Sequence, residues 1–131
     1  MSTGKSAIVA LGGNALSPGD KPDTIANQFR RTRESLTAVM YLLHQGFNLA
    51  ITHGNGPQVG NALLRVELAR GQAPALPLGI CVADTEGGMG YMIEQSLQNA
   101  LREDQTSRDV VTIVTQVIVD RDDPSIQNPT K

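Results

Sequence analysis

The sequence predicts an α/β fold: an open, mostly parallel sheet in a three-layer α/β/α arrangement, incomplete within this chain. Short, wholly apolar runs halt at glycines, and amphipathic stretches with helical spacing lie between them. The resulting order is strand, helix, strand, helix, helix, strand, which favours parallel strands joined by right-handed crossovers. In such sheets ligands bind beyond the carboxyl ends of the strands, so the loops that follow each strand are the places to look for chemistry.

The first strand is Ala7 to Leu11, an apolar run that stops at Gly12 and reads as buried on both faces. After a loop from Gly12 to Pro22, residues Asp23 to Gln45 place Ile25, Phe29, Leu36, Met40 and Leu43 on one helical stripe, with Asp23 or Thr24 as the amino-terminal cap. Gly46 ends that helix by taking a left-handed conformation, and Asn48 to Thr52 forms the second buried strand. Pro57 suits the first turn of the next helix, whose apolar face is Val59, Ala62, Leu63 and Val66 and which Gly71 closes. The segment Leu78 to Ala83 fits either a short strand or a packed loop. Asp84 and Thr85 then cap a helix carrying Met89, Ile93, Leu97 and Ala100, and the β-branched run Val110 to Thr115 reads as a third strand.

Composition narrows the function classes. The chain is 40% hydrophobic, 18% charged and 3% aromatic, as in a globular domain with an aliphatic core. A formal charge of -2 from mixed-sign residues supplies no broad positive field, so neither nucleic acid nor an anionic membrane is expected as a partner. No apolar run approaches a membrane span, and Gly12 and Gly13 arrive too early for a secretory signal. A lone Cys81 makes no internal disulfide, and a cytoplasmic location is the expectation.

The glycine loops carry the chemistry. Gly12 and Gly13 let the backbone turn and present N–H groups to an anion, and Asn14 adds an amide. Their bland alternative is a tight strand exit. His53, Gly54, Asn55, Gly56 and Pro57 stand at the matching end of the second strand and lead into a helix, whose amino end offers free N–H groups and partial positive charge. Two such loops at equivalent places hold an oxyanion better than either alone. His53 has no metal-ligand pattern around it, with His44 in the preceding helix, and a structural second rank suits it better than general base. The segment Asp84 to Tyr91 reads as a packing and positioning element, and the arginines at 30, 31 and 33 as the wet face of a helix. Lys131 is a candidate ammonium for charge that builds on a transferring phosphoryl group. Neither GxxxxGK[ST] nor GxGxxG occurs.

The phrases IVALGGNAL, ITHGNGPQVGN, ADTEGGMGYMIEQ and VDRDDPSIQNPTK, in this order, resemble the amino-terminal part of the carbamate kinase family within the amino acid kinase superfamily. The resemblance covers nearly all 131 residues. It implies a dimeric enzyme that transfers a phosphoryl group reversibly between ATP and carbamate with Mg²⁺, giving ADP and carbamoyl phosphate, with ATP formation as the working direction. It further implies that Gly12, Gly13 and Asn14 surround the transferring group, that Gly54, Asn55 and Gly56 cradle carbamate or carbamoyl phosphate, and that Lys131 neutralises charge in flight. Near Glu86 the family carries an amide where this chain has an acid.

The chain then reads, over residues 1–131, as the amino-terminal portion of one amino-acid-kinase-like domain whose nucleotide-binding portion is absent, and alone it is expected to be inactive. Two other readings remain open at this level. One is an acyl phosphate-forming kinase acting on an amino acid; the other is a non-catalytic carbamoyl phosphate binder that keeps these loops.

Overall fold

The computed structural model describes residues 4–16 and 24–128, without the side chains of residues 14 and 15. Two strands, β1 (Ser6–Leu11) and β2 (Asn48–His53), pair in parallel from Ser6 against Asn48 to Leu11 against His53. Parallel neighbours require a crossover, and helix α2 (Ile25–His44) supplies it. A single turn, α1 (Gly13–Leu16), follows β1 directly. Helix α3 (Gly56–Leu68) follows β2, α4 (Leu78–Glu103) packs on both α2 and α3, and α5 (Pro124–Gln127) is a short turn near the end. The result is a mixed α/β fold with an open, incomplete parallel sheet.

One side of that sheet is the core. Leu11, Leu36, Val39, Leu43, Met89, Ile93, Leu97 and Leu101 form a buried cluster, with Val9, Leu49 and Ile51 packed against it from the strands. The alternate positions turn the other way, and Ile8 is 76% exposed. Burial of both strand faces is therefore not found among the described residues, because α2 and α4 pack from the same side.

Helix α2 keeps its expected extent but not its expected stripe. Thr24 is its cap, accepting from the Asn27 N–H at 3.2 Å, while Asp23 lies outside the described residues. Buried positions are Gln28, Thr32, Leu36, Val39 and Leu43, and Ile25 is exposed. Two polar residues hold the first turns of the stripe: the Thr32 hydroxyl donates back to the Gln28 carbonyl at 2.8 Å, which satisfies it where it is buried. Gly46 does take a left-handed conformation after the helix, at φ 80°.

The segment 78–103 departs most from expectation. It is neither strand nor loop followed by a new helix but one helix of 26 residues, so Asp84 and Thr85 lie inside it and Pro77 occupies the cap position. Gly87, Gly88 and Gly90 each weaken a helix by about 1 kcal/mol relative to Ala, which makes the stretch read as a break. Burial of Met89, Met92, Ile93, Leu97 and Leu101 along one face offsets that penalty.

Residues 110–115 form no ladder. A strand needs its neighbour about 4.8 Å away, but a cleft of about 350 Å³ lies between β2 (Asn48, Leu49, Ile51) and residues 108–113. Side chains hold the segment instead: Arg108 donates to the Phe47 carbonyl at 2.8 Å, Glu86 accepts from the Thr115 N–H at 3.2 Å, and Val110 packs on the core. Among the described residues, no helix is long and apolar enough to cross a membrane.

At the end of the sheet away from the glycine loops, His44 Nε2 and the Asp104 carboxylate are hydrogen-bonded at 2.7 Å, which ties α2 to the end of α4, and the Thr106 hydroxyl donates to the same carboxylate. The Thr106 bond first, then the His44 bond, holds the Asp104 carboxyl below its ordinary value. A lowered folded-state pKa stabilises above the unfolded value and loses that contribution as pH falls through the folded one. Asp104→Asn is accordingly expected to be less urea-resistant than the wild type at neutral pH, with the two midpoints converging as pH drops below the carboxylate range. A gap that persists unchanged at low pH would show that the pair contributes nothing through ionisation.

Candidate functional site

The parallel register decides where the glycines meet. Leu11 and His53 are partners at the last rung of the ladder, so Gly12 and Gly13 leave β1 at the same level at which Gly54, Asn55 and Gly56 leave β2. The two loops touch. A methyl placed on Gly54 would sit 3.8 Å from the backbone nitrogen of Gly13, and one on Gly13 would sit 3.7 Å from Cδ of Pro57. Five of the residues singled out from the sequence are thus brought together, with Asn14 in α1 beside them by its backbone. Lys131 lies outside the described residues.

These glycines are not demanded by backbone geometry. The positive φ angles among the described glycines belong to Gly46 and Gly71, so Gly12, Gly13, Gly54 and Gly56 adopt conformations open to any residue. Nothing stands within 4 Å of a methyl built on Gly12 or Gly56, and the contacts at Gly13 and Gly54 are ordinary ones. A left-handed turn therefore does not account for them. Open space lies beside Gly12 and Gly56.

Helix α3 begins in that space. Asn55 is its cap residue, yet its side chain makes no cap hydrogen bond. The amide instead donates to the Val82 carbonyl at 3.1 Å and to the Thr85 hydroxyl at 3.0 Å, across on α4. Pro57 contributes no N–H, so the first-turn donors of α3 are Gly56 and Gln58, while the Val59 N–H bonds to the Asn55 carbonyl at 2.9 Å. Partial positive charge and uncapped N–H groups at such an end suit an oxyanion.

Neighbouring side chains brace the loops. The Gln58 amide donates to Gln28 at 3.3 Å, which joins the first turns of α3 and α2, and Gln58 Oε1 is buried with no partner among the described residues. His53 Nδ1 lies 3.4 Å from the Gly54 carbonyl and the ring is half-buried at the rim of the cleft beside β2. Glu86 does not face an anion; its carboxylate is engaged by the Thr115 N–H. Among the described residues no three His, Cys, Asp or Glu side chains are grouped to hold a metal ion. Gln28 and Gln58 were not singled out from the sequence, while Thr85 lies in the segment Asp84 to Tyr91 that was read as packing and positioning. A polar residue on an otherwise apolar helical stripe was the available signal for Gln28; for Thr85 the sequence carried no mark of its partner Asn55, 30 residues away.

No family model matches the chain. It is 42% identical over 132 aligned residues to the carbamate kinase of Pyrococcus furiosus, an alignment that covers 98% of this chain and 41% of that protein. It is likewise 42% identical over 126 residues to the carbamate kinase-like protein YahI of Escherichia coli, covering 95% of this chain and 40% of that protein. In structure it is similar to carbamate kinase from Giardia lamblia bound to AMP-PNP, with a TM-score of 0.92 and 35% identity over 100% of this chain and 42% of that one. The chain thus spans about two-fifths of the length of the relatives it matches.

Proposed function

From the premise that this chain is homologous to the amino-terminal portion of carbamate kinases, we propose that it carries the phosphoryl- and carbamate-binding loops of such an enzyme. The reaction is reversible phosphoryl transfer between ATP and carbamate, giving ADP and carbamoyl phosphate, and ATP formation is its working direction. In this reading residues 1–131 are one portion of an amino-acid-kinase-like domain, the nucleotide is held mainly by residues outside them, and the working unit is a homodimer.

The observation that supports it is the meeting of the Gly12–Gly13 and Gly54–Gly56 loops at the last rung of the β1–β2 ladder, with open space beside Gly12 and Gly56. Carbamate brings its own nucleophilic oxygen, so the protein has no strong base to supply. It aligns the reacting oxygens and stabilises charge on the equatorial ones. Gly12, Gly13 and the Asn14 backbone are assigned to the transferring group, and Gly54, Asn55 and Gly56 to the carbamate side. Lys131 is assigned to charge in flight. Mg²⁺ enters with the nucleotide as its counter-ion; the described residues offer it no cluster of their own.

The relative named carbamate kinase-like stands at the same identity as the Pyrococcus enzyme, which keeps a non-catalytic carbamoyl phosphate binder as the second reading. The test is ADP-dependent ATP formation from carbamoyl phosphate with Mg²⁺, for the intact gene product beside residues 1–131 alone. Turnover by the intact protein only is the expected result. Carbamoyl phosphate binding without turnover by either would overturn the kinase reading in favour of the binder.

A further inference from the structure

Asparagine at the cap position of a helix ordinarily accepts, through Oδ1, from the N–H two or three residues on, and so closes the helix end. In α3 the N–H two residues after Asn55 does not exist, because Pro57 is there, so Gln58 is the single donor that Asn55 can cap. It does not cap it. The Asn55 amide is drawn across to α4, where it donates to the Val82 carbonyl and the Thr85 hydroxyl. The Thr85 hydroxyl is itself fixed, 2.7 Å from the Cys81 carbonyl and 3.0 Å from the Val82 carbonyl, so its proton is committed to its own helix and its lone pair faces Asn55. The Thr85 hydroxyl and the Val82 carbonyl thereby hold the cap residue away from the helix it would otherwise close, and the hydroxyl is the side-chain half of that hold.

We propose that Thr85 is a positioning residue that keeps the amino end of α3 open for the oxyanion by diverting Asn55 from capping Gln58. The proposal rests on the functional reading above and names a residue for it. With the hydroxyl removed, Asn55 keeps only the Val82 carbonyl as its acceptor on α4; that weakened hold shifts the side chain toward Gln58, where an internal acceptor competes with the ligand for the same N–H.

This role leaves a signature that a merely structural threonine does not. Thr85→Val preserves shape, so the intact protein is expected to fold with an unchanged unfolding midpoint. Its KM for carbamoyl phosphate rises about tenfold, the scale of a cap's competition, while kcat changes by less than about twofold. Thr85→Ser retains the hydroxyl and restores the wild-type KM. In an Asn55→Ala background no competing acceptor exists, and Thr85→Val has no further effect on KM.

Amide hydrogen exchange reads the same event without any turnover. The Gln58 N–H exchanges freely in the wild type without ligand and becomes protected in Thr85→Val. Absence of turnover in the wild type would sink the kinase reading alone, because the exchange arm still decides whether the cap is diverted. Unchanged Gln58 exchange in Thr85→Val, a KM equal to wild type in an active protein, or loss of folded protein in that variant would each overturn the proposal.

Discussion

Gly54→Ala is expected to lower kcat/KM for carbamoyl phosphate by about a hundredfold in the intact protein, the scale of losing one oxyanion donor, and to leave the unfolding midpoint unchanged. The backbone at Gly54 lies outside the left-handed region, and a methyl there meets only the Gly13 nitrogen, at 3.8 Å. The fold therefore accepts the substitution. An oxyanion bonded to the Gly13 N–H has its oxygen about 2.9 Å from that nitrogen, and the methyl, 3.8 Å from the same nitrogen, narrows the room beside it. Steady-state kinetics beside urea unfolding separates the two effects. Full activity in Gly54→Ala would reduce the residue to a turn, and coupled loss of folding would return it to a purely structural role.

Gly90→Ala is expected to do the reverse: destabilise by roughly 1–3 kcal/mol, as overpacking does, and lower Tm accordingly. A methyl on Gly90 would lie 2.2 Å from Cγ2 of Thr112, 3.3 Å from its Oγ1 and 3.4 Å from its Cβ, so the threonine side chain must give way and has little room beside the new methyl. Relief of that contact strains the packing of this segment on α4, where Val110 meets the core. Gly87→Ala is the control in the same helix. Nothing stands within 4 Å of that methyl, and helix propensity then favours Ala by about 1 kcal/mol. Equal Tm values for the two variants would show that residues 110–113 are not packed on Gly90 in solution.

The opposite outcomes expected for Gly87 and Gly90 also show why α4 was hard to read. Clustered glycines signal a break when only local propensity is weighed, and the sequence contains no mark of the Thr112 methyl that needs one of them absent of a side chain. The same limit applies to α2. Its Ile25 and Phe29 fit a helical stripe by spacing, but the buried positions of the first turns are Gln28 and Thr32, whose polar groups are satisfied by bonds that exist only once the helix has packed. For residues 110–115 the β-branched composition was read as a third strand, and no strand forms there, because ladder formation depends on a neighbour's distance, which the cleft beside β2 sets.

Local chemistry alone determined a good deal. The ends of β1 and β2 are set by apolar runs meeting glycine, Gly46 is placed by its need for positive φ, Pro57 by its missing N–H, and the two glycine loops by their position after the strands. Those are properties of single residues and their immediate neighbours. Tertiary structure decided what depends on separation in space: that the parallel register sets Gly13 against Gly54, that Thr85 draws Asn55 away from its own helix, and that Gly90 faces Thr112. Each of these pairs is 22 or more residues apart in the chain, and a contact at that range comes from the packing of α4 on its neighbours and the pairing of β1 with β2, not from local preference.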